Sequence, residues 1–232
     1  MFEVRNLCSA YGQSQVLHGI DLSVGPGEIV ALVGRNGMGK STLMKSLIGV
    51  MPVQSGTIAL DGTDVTALPS HRRVAHGLAY VPQGRQIFGT MTVKENIQTG
   101  RVVTGDTEVP PEIYDLFPIL ADFERRRGGN LSGGQQQQLA IARALASNPK
   151  VLLLDEPTEG IQPSIIDEIV ETLQRLRART GLTIILVEQN LDFIAALSQR
   201  ILIIQKGTIT RGVAPDDLHN ASLVGEFIGI TA

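Results

Sequence analysis

Apolar positions follow two rhythms along this chain. Mostly apolar runs at Ile29–Val33, Leu78–Val81, Val151–Leu154 and Thr183–Val187 have the length of strands covered on both faces. Alternating stretches predict further strands at Phe2–Leu7 and Val16–Val24, with Ser9–Gly12 as a loop carrying one exposed aromatic, Tyr11. Thr57–Leu60 predicts a strand closed by an Asp61-Gly62 hairpin signal, and Arg200–Gln205 with Thr208–Arg211 predict a hairpin about Lys206-Gly207. Helices are predicted at Lys40–Ile48, Pro69–His76 and Leu191–Leu197, at Ser164–Thr180 behind Pro163 as first helical residue, and at Asp216–Ile228.

Between Gly84 and Lys150 the strand rhythm stops. Helices are predicted there at Thr92–Gln98, with Thr92 as cap, at Pro110–Phe117, at Ile119–Arg127 and at Gln135–Ser147. Thr99–Val109 reads as a polar surface loop. Strands alternating with helices imply a mostly parallel α/β sheet with crossover connections. The chain thus reads as one domain over residues 1–232, with a core from 1–84 and 151–232 and a helical insertion at 85–150.

Composition adds mainly exclusions. At 232 residues the chain can bury a full core, and a net charge of −3 gives no nucleic-acid footprint. The single cysteine, Cys8, excludes an internal disulfide. The first residues lack a signal-peptide layout, and no apolar run approaches the ~20 residues of a membrane span. A role at a membrane then requires a partner.

The chemistry begins at Gly34-Arg35-Asn36-Gly37-Met38-Gly39-Lys40-Ser41-Thr42, between a predicted strand and a predicted helix. This is a P-loop. Its glycines let successive N–H groups face phosphate oxygens, and the helix N-terminus adds positive partial charge. Lys40 is expected to reach the β- and γ-phosphates of ATP, and the Ser41 hydroxyl to bind Mg²⁺. Asp155 and Glu156 close an apolar strand, as the usual partner of a P-loop does. Asp155 is assigned to the metal shell and Glu156 to polarising the attacking water. Leu131-Ser132-Gly133-Gly134-Gln135 is a second phosphate-type site, with a hydroxyl, two glycines and a helix start.

These motifs together resemble the nucleotide-binding subunits of ATP-binding cassette (ABC) transporters, whose signature motif reads like Leu131–Gln135. The resemblance covers nearly the whole chain. It implies a P-loop NTPase core with an N-terminal antiparallel β part and an inserted α-helical subdomain. It also implies a head-to-tail partnership with a second such subunit, related or identical. ATP would lie between the P-loop of one and the Ser132, Gly133, Gly134 and Gln135 of the other. Membrane permease subunits, docked near Gln83–Val93, and indirectly a solute-binding protein complete the expected partners. The expected location is the cytoplasmic face of the membrane. By the same resemblance Tyr11 stacks on adenine, and Gln83 touches Mg²⁺ and the attacking water. Gln189 stands where the family usually has a γ-phosphate-contacting histidine, and Gln162 where a loop usually ends in aspartate. Glutamine can donate a hydrogen bond but cannot carry a proton charge.

Val187-Glu188-Gln189-Asn190 is similar to ATPase subunits of branched-chain amino acid importers. Tyr80–Arg85, Arg126–Gly129 and Glu156–Ser164 resemble, within that group, one ATPase subunit of the urea and short-chain-amide importer. Urea is therefore the expected solute and branched-chain amino acids the alternative. A soluble ABC ATPase acting on nucleic acid or ribosomes usually shows coiled-coil insertions, paired cassettes or basic surfaces. None is visible here.

Overall fold

The structure, a computed structural model, describes residues 1–219. Its strands are β1 (Phe2–Tyr11), β2 (Ser14–Val24), β3 (Ile29–Val33), β4 (Ser55–Leu60), β5 (Thr63–Asp64), β6 (Leu78–Val81), β7 (Val151–Asp155), β8 (Thr183–Val187), β9 (Arg200–Gln205) and β10 (Thr208–Val213). Its α-helices are α1 (Lys40–Ile48), α2 (Ser70–Ala75), α3 (Val93–Arg101), α4 (Pro111–Leu116), α5 (Pro118–Asp122), α6 (Gly133–Leu145), α7 (Pro163–Thr180) and α8 (Leu191–Leu197).

Two sheets organise these elements. An antiparallel sheet has the order β2-β1-β4-β5, and a larger sheet has the order β10-β9-β3-β8-β7-β6. All neighbours in the larger sheet are parallel except β9 and β10. Alternate residues of its strands serve two cores. Ile29, Ala31, Leu152, Leu154, Ile184 and Leu186 face one that includes α3–α8. Val30, Leu32, Val151, Leu153, Ile185 and Val187 face one shared with β1, β2, β4 and α1. Strands covered on both sides bury alternate residues in each core, which is why these runs are nearly all apolar.

Three local differences from the sequence pattern have physical causes. Ser9–Tyr11 is strand, because Ser9, Ala10 and Tyr11 pair with Leu17, Gln15 and Ser14 in a tight hairpin. Helix α6 starts at Gly133, earlier than Gln135. A capping box sets that start: the Ser132 hydroxyl accepts from Gln135 N–H (3.3 Å) and the Gln135 side chain accepts from Ser132 N–H (3.0 Å). Helix α5 ends at Asp122, short of Arg127, because the following backbone serves another helix. The first N–H groups of α3 lack intrahelical acceptors, and Val93 and Lys94 donate to the carbonyls of Arg126 and Glu124 (2.9 and 3.0 Å). The loop expected from Thr99 begins only after α3 and a 3₁₀ turn at Val102–Thr104. Pro215–His219 forms another 3₁₀ turn, and the rest of the helix expected to Ile228 lies outside the described residues.

Candidate active site

The carboxyl ends of β3, β8, β7 and β6 lie side by side. Parallel strands point these ends the same way, and the loops after them converge. The loop after β3 is the Gly34–Gly39 segment. Gly39 sits at φ 103° as the N-cap of α1, a conformation that side-chain-bearing residues rarely adopt. Strand β7 ends in Asp155 and leads to Glu156; β8 leads to Gln189, and β6 to Gln83. Asn36, Gly37, Gly39, Lys40, Ser41, Thr42, Gln83, Glu156, Glu159 and Gln189 line one cleft of about 540 Å³.

Lys40 folds back over the phosphate loop. Its Nζ donates to the carbonyls of Gly34 (2.6 Å) and Arg35 (3.2 Å). Burial lowers its pKa, while Glu156 and Asp155 pull the other way. Asp155, 1 % exposed, accepts hydrogen bonds from Ser41 Oγ (3.2 Å) and Tyr80 Oη (3.1 Å). Burial raises its pKa, against the lowering effect of those two hydroxyls. The Tyr80 hydroxyl is pushed well above its ordinary range by burial and by the neighbouring carboxylate. It is therefore a permanent donor to Asp155. Ser41 and Asp155 together offer the hard oxygen donors that Mg²⁺ prefers. Among the described residues no group of three His, Cys, Asp or Glu side chains could hold a metal.

Glu156 is held from both sides. Gln189 Nε2 donates to Oε1 (2.8 Å) and Gln83 Nε2 to Oε2 (2.8 Å). Gln83 also reaches Glu159 (3.1 Å), and Gln189 approaches Asn36 (3.3 Å). The Glu156 backbone sits at φ 50°, unusual for a residue with a side chain, and its N–H bonds to the Val187 carbonyl (2.8 Å). Such strain costs of order 1–3 kcal/mol and persists only where the surroundings fix it.

The structure thus joins Asn36, Gly37, Gly39–Thr42, Gln83, Glu156 and Gln189 in the cleft, with Asp155 bonded to Ser41 and the Gly34 and Arg35 carbonyls bonded to Lys40, while Gly34, Arg35, Met38 and Asp155 are off its lining. Ser132–Gln135 and Tyr11 are not among the residues lining the cleft. Tyr11 is 51 % exposed at the end of β1. Gln162 is the N-cap residue of α7 and also lies off the cleft lining. Three residues were missed by sequence reasoning. Tyr80 looked like core in an apolar run. Glu159 brings a second carboxylate to the cleft. Arg85 Nη2 donates to the carbonyls of Glu159 and Gly160 (3.2 and 3.3 Å), and its guanidinium lies over Gly133. The spacing of Glu159 behind Glu156 was the only available signal. Among the described residues no helix is long and apolar enough to cross a membrane.

Comparison with known proteins gives the same outline. Residues 17–159 match the family model for ABC transporters. The high-affinity branched-chain amino acid transport ATP-binding protein BraG of Pseudomonas aeruginosa is 42 % identical over 212 residues, covering 90 % of this chain and 91 % of its own. A chain from Archaeoglobus fulgidus named "Probable branched-chain amino acid transport ATP-binding protein LivF" is 38 % identical, covering 99 % of both. The solved structure of a nucleotide-free ATP-binding cassette from an ABC transporter superposes with a TM-score of 0.87 at 25 % identity, covering 99 % of both chains.

Proposed function

We propose, because the chain belongs to the ABC transporter family and is an ATPase of that type, that it powers a membrane importer for small amino-acid-like solutes. The observation that carries the catalytic reading is the convergence of Lys40, Ser41 and the doubly held Glu156 on one cleft, with the buried Asp155 bonded to Ser41. In this reading the Gly34–Thr42 backbone and Lys40 hold the ATP phosphates. Lys40 trades its bonds to the Gly34 and Arg35 carbonyls for phosphate oxygens. Ser41, Asp155 and Gln83 hold Mg²⁺, which supplies charge neutralisation at the phosphates. Glu156 orients the attacking water and accepts its proton. The amide of Gln189 leaves Glu156 to donate to the γ-phosphate, which it can do without carrying charge. Tyr11 supplies an aromatic face for adenine.

The cleft has no wall from Ser132–Gln135. A second subunit, related or identical, supplies that wall head-to-tail, and closure around ATP moves permease subunits docked on the helical part at 85–150. Those subunits place the chain peripherally on the cytoplasmic face, with a solute-binding protein beyond them. Ile87, Phe88, Met91 and Val93 are the docking candidates. Phe88 and Met91 are exposed, whereas Val93 is fully buried and serves the local core.

The relatives named above favour branched-chain amino acids as the solute over urea. The strings Tyr80–Arg85 and Glu156–Ser164 keep urea and short-chain amides as a second reading. Uptake by vesicles holding the chain with its permease subunits and solute-binding protein separates these. ATP-driven leucine uptake, lost in Lys40→Ala, is expected. Urea uptake without leucine uptake would establish the second reading, and uptake of neither would remove both.

A further inference from the structure

Glu188 is a buried acid that the catalytic reading does not use. It is 3 % exposed, at the end of β8. A buried carboxylate is costly unless its oxygens are satisfied, and an apolar residue would pack there at less cost. Its two oxygens divide their work between two loops. Oε1 accepts from Thr158 N–H (3.0 Å) and Thr158 Oγ1 (2.5 Å), in the loop after β7 that begins with Glu156. Oε2 accepts from Gln189 N–H (2.5 Å) and Asn190 N–H (2.9 Å), in the loop after β8. Asn190 in turn caps α8 by accepting from Phe193 N–H (3.1 Å). Together with the bond from Glu156 N–H to Val187 O, this ties the backbones of the two loops together.

We infer that Glu188 is a positioning residue for ATP hydrolysis: its carboxylate clamps the loop of Glu156 to the loop of Gln189, and so sets Gln189 against Glu156 and the γ-phosphate. The inference rests on the role given to Gln189 above. The clamp needs an acceptor at both ends. Glutamine has one acceptor oxygen, and its amide hydrogens would oppose N–H donors at the other end whichever way it turns. Glu188→Gln therefore releases one loop while keeping size and shape.

The test is ATP turnover by the full chain in the assembled transporter, with ATP affinity measured beside it. Hydrogen bonds to charged groups are strong enough that Glu188→Gln should slow turnover about tenfold or more. ATP affinity should stay within about twofold, because the phosphate loop is untouched. On a Gln189→Ala background, Glu188→Gln should add no further loss. Wild-type turnover in Glu188→Gln, or a full further loss on that background, overturns the clamp. If Gln189→Ala alone turns over normally, the role of Gln189 fails and the clamp with it. A slow Gln189→Ala beside a normal Glu188→Gln sinks the clamp alone. If Glu188→Gln does not fold, Thr158→Val removes one donor to Oε1 at constant shape and is judged by the same comparison.

Discussion

Asp155 sits where burial disfavours its charged form, against hydrogen bonds from two hydroxyls and the charge of Lys45. Its folded pKa lies above its ordinary value of 3.8, so folding favours the protonated form. Between 3.8 and the raised value the native state binds more protons than the unfolded chain, and stability falls as pH rises. Above that window the whole cost is present. Asp155→Asn, neutral at every pH, should therefore raise the denaturation midpoint of the nucleotide-free protein at neutral pH, and the gain should shrink in acid. A lower midpoint at neutral pH would show that the Ser41 and Tyr80 bonds outweigh burial. The same change should cost Mg²⁺-dependent nucleotide binding, a trade of stability for function at one residue. Glu156 differs, because both its oxygens already accept amide hydrogens. Glu156→Gln should bind ATP yet lose nearly all turnover in a phosphate-release assay. Retained turnover would remove Glu156 as the group that orients water.

At the scale of elements, the helical part depends on close backbone approach. A Cβ at Gly100 of α3 would stand 2.0 Å from the carbonyl oxygen of Arg143 on α6. Backbone cannot yield there as a side-chain tip could, so Gly100→Ala should push the two helices apart and cost about 1–3 kcal/mol. Chemical denaturation checks this, and an unchanged midpoint would mean that the helices slide freely. The same scale explains what the sequence could reveal. Strands β3, β6 and β8, and helices α1 and α8, were readable to the residue from mostly apolar runs and breaker positions. The P-loop was readable from spacing alone. Tyr80 was not, because its hydroxyl meets Asp155 only through the pairing of β6 with β7, which no local pattern specifies. The role of Glu188 is not legible locally, since its four donors come from two loops far apart in sequence. Arg85 was hidden for the same reason, its partners being backbone carbonyls of a distant loop.

At the scale of the whole molecule, the two phosphate-type motifs of one chain do not line one cleft. Helix α6 begins with the capping box at Ser132, beside Arg85 and the Glu159–Gly160 backbone, while the P-loop cleft lacks Ser132–Gln135 among its lining residues. In the proposed head-to-tail pair, ATP held by Lys40 is covered on its open side by the second subunit. Dimerisation and ATP binding become linked equilibria, so ATP should drive association and association should tighten ATP. Blocking turnover with Glu156→Gln should trap the ATP-bound pair, visible as a doubled mass in size-exclusion chromatography with light scattering, whether the partner is this chain or its related subunit. Adding Ser132→Arg should abolish that doubling, because a bulky side chain at the helix start fills the space for the partner's phosphates. ATP binding at Lys40 should survive in the resulting monomer, with the weaker affinity of a half-covered site. An ATP-trapped pair that tolerates Ser132→Arg would place the second wall elsewhere and separate the signature from the site it is expected to close.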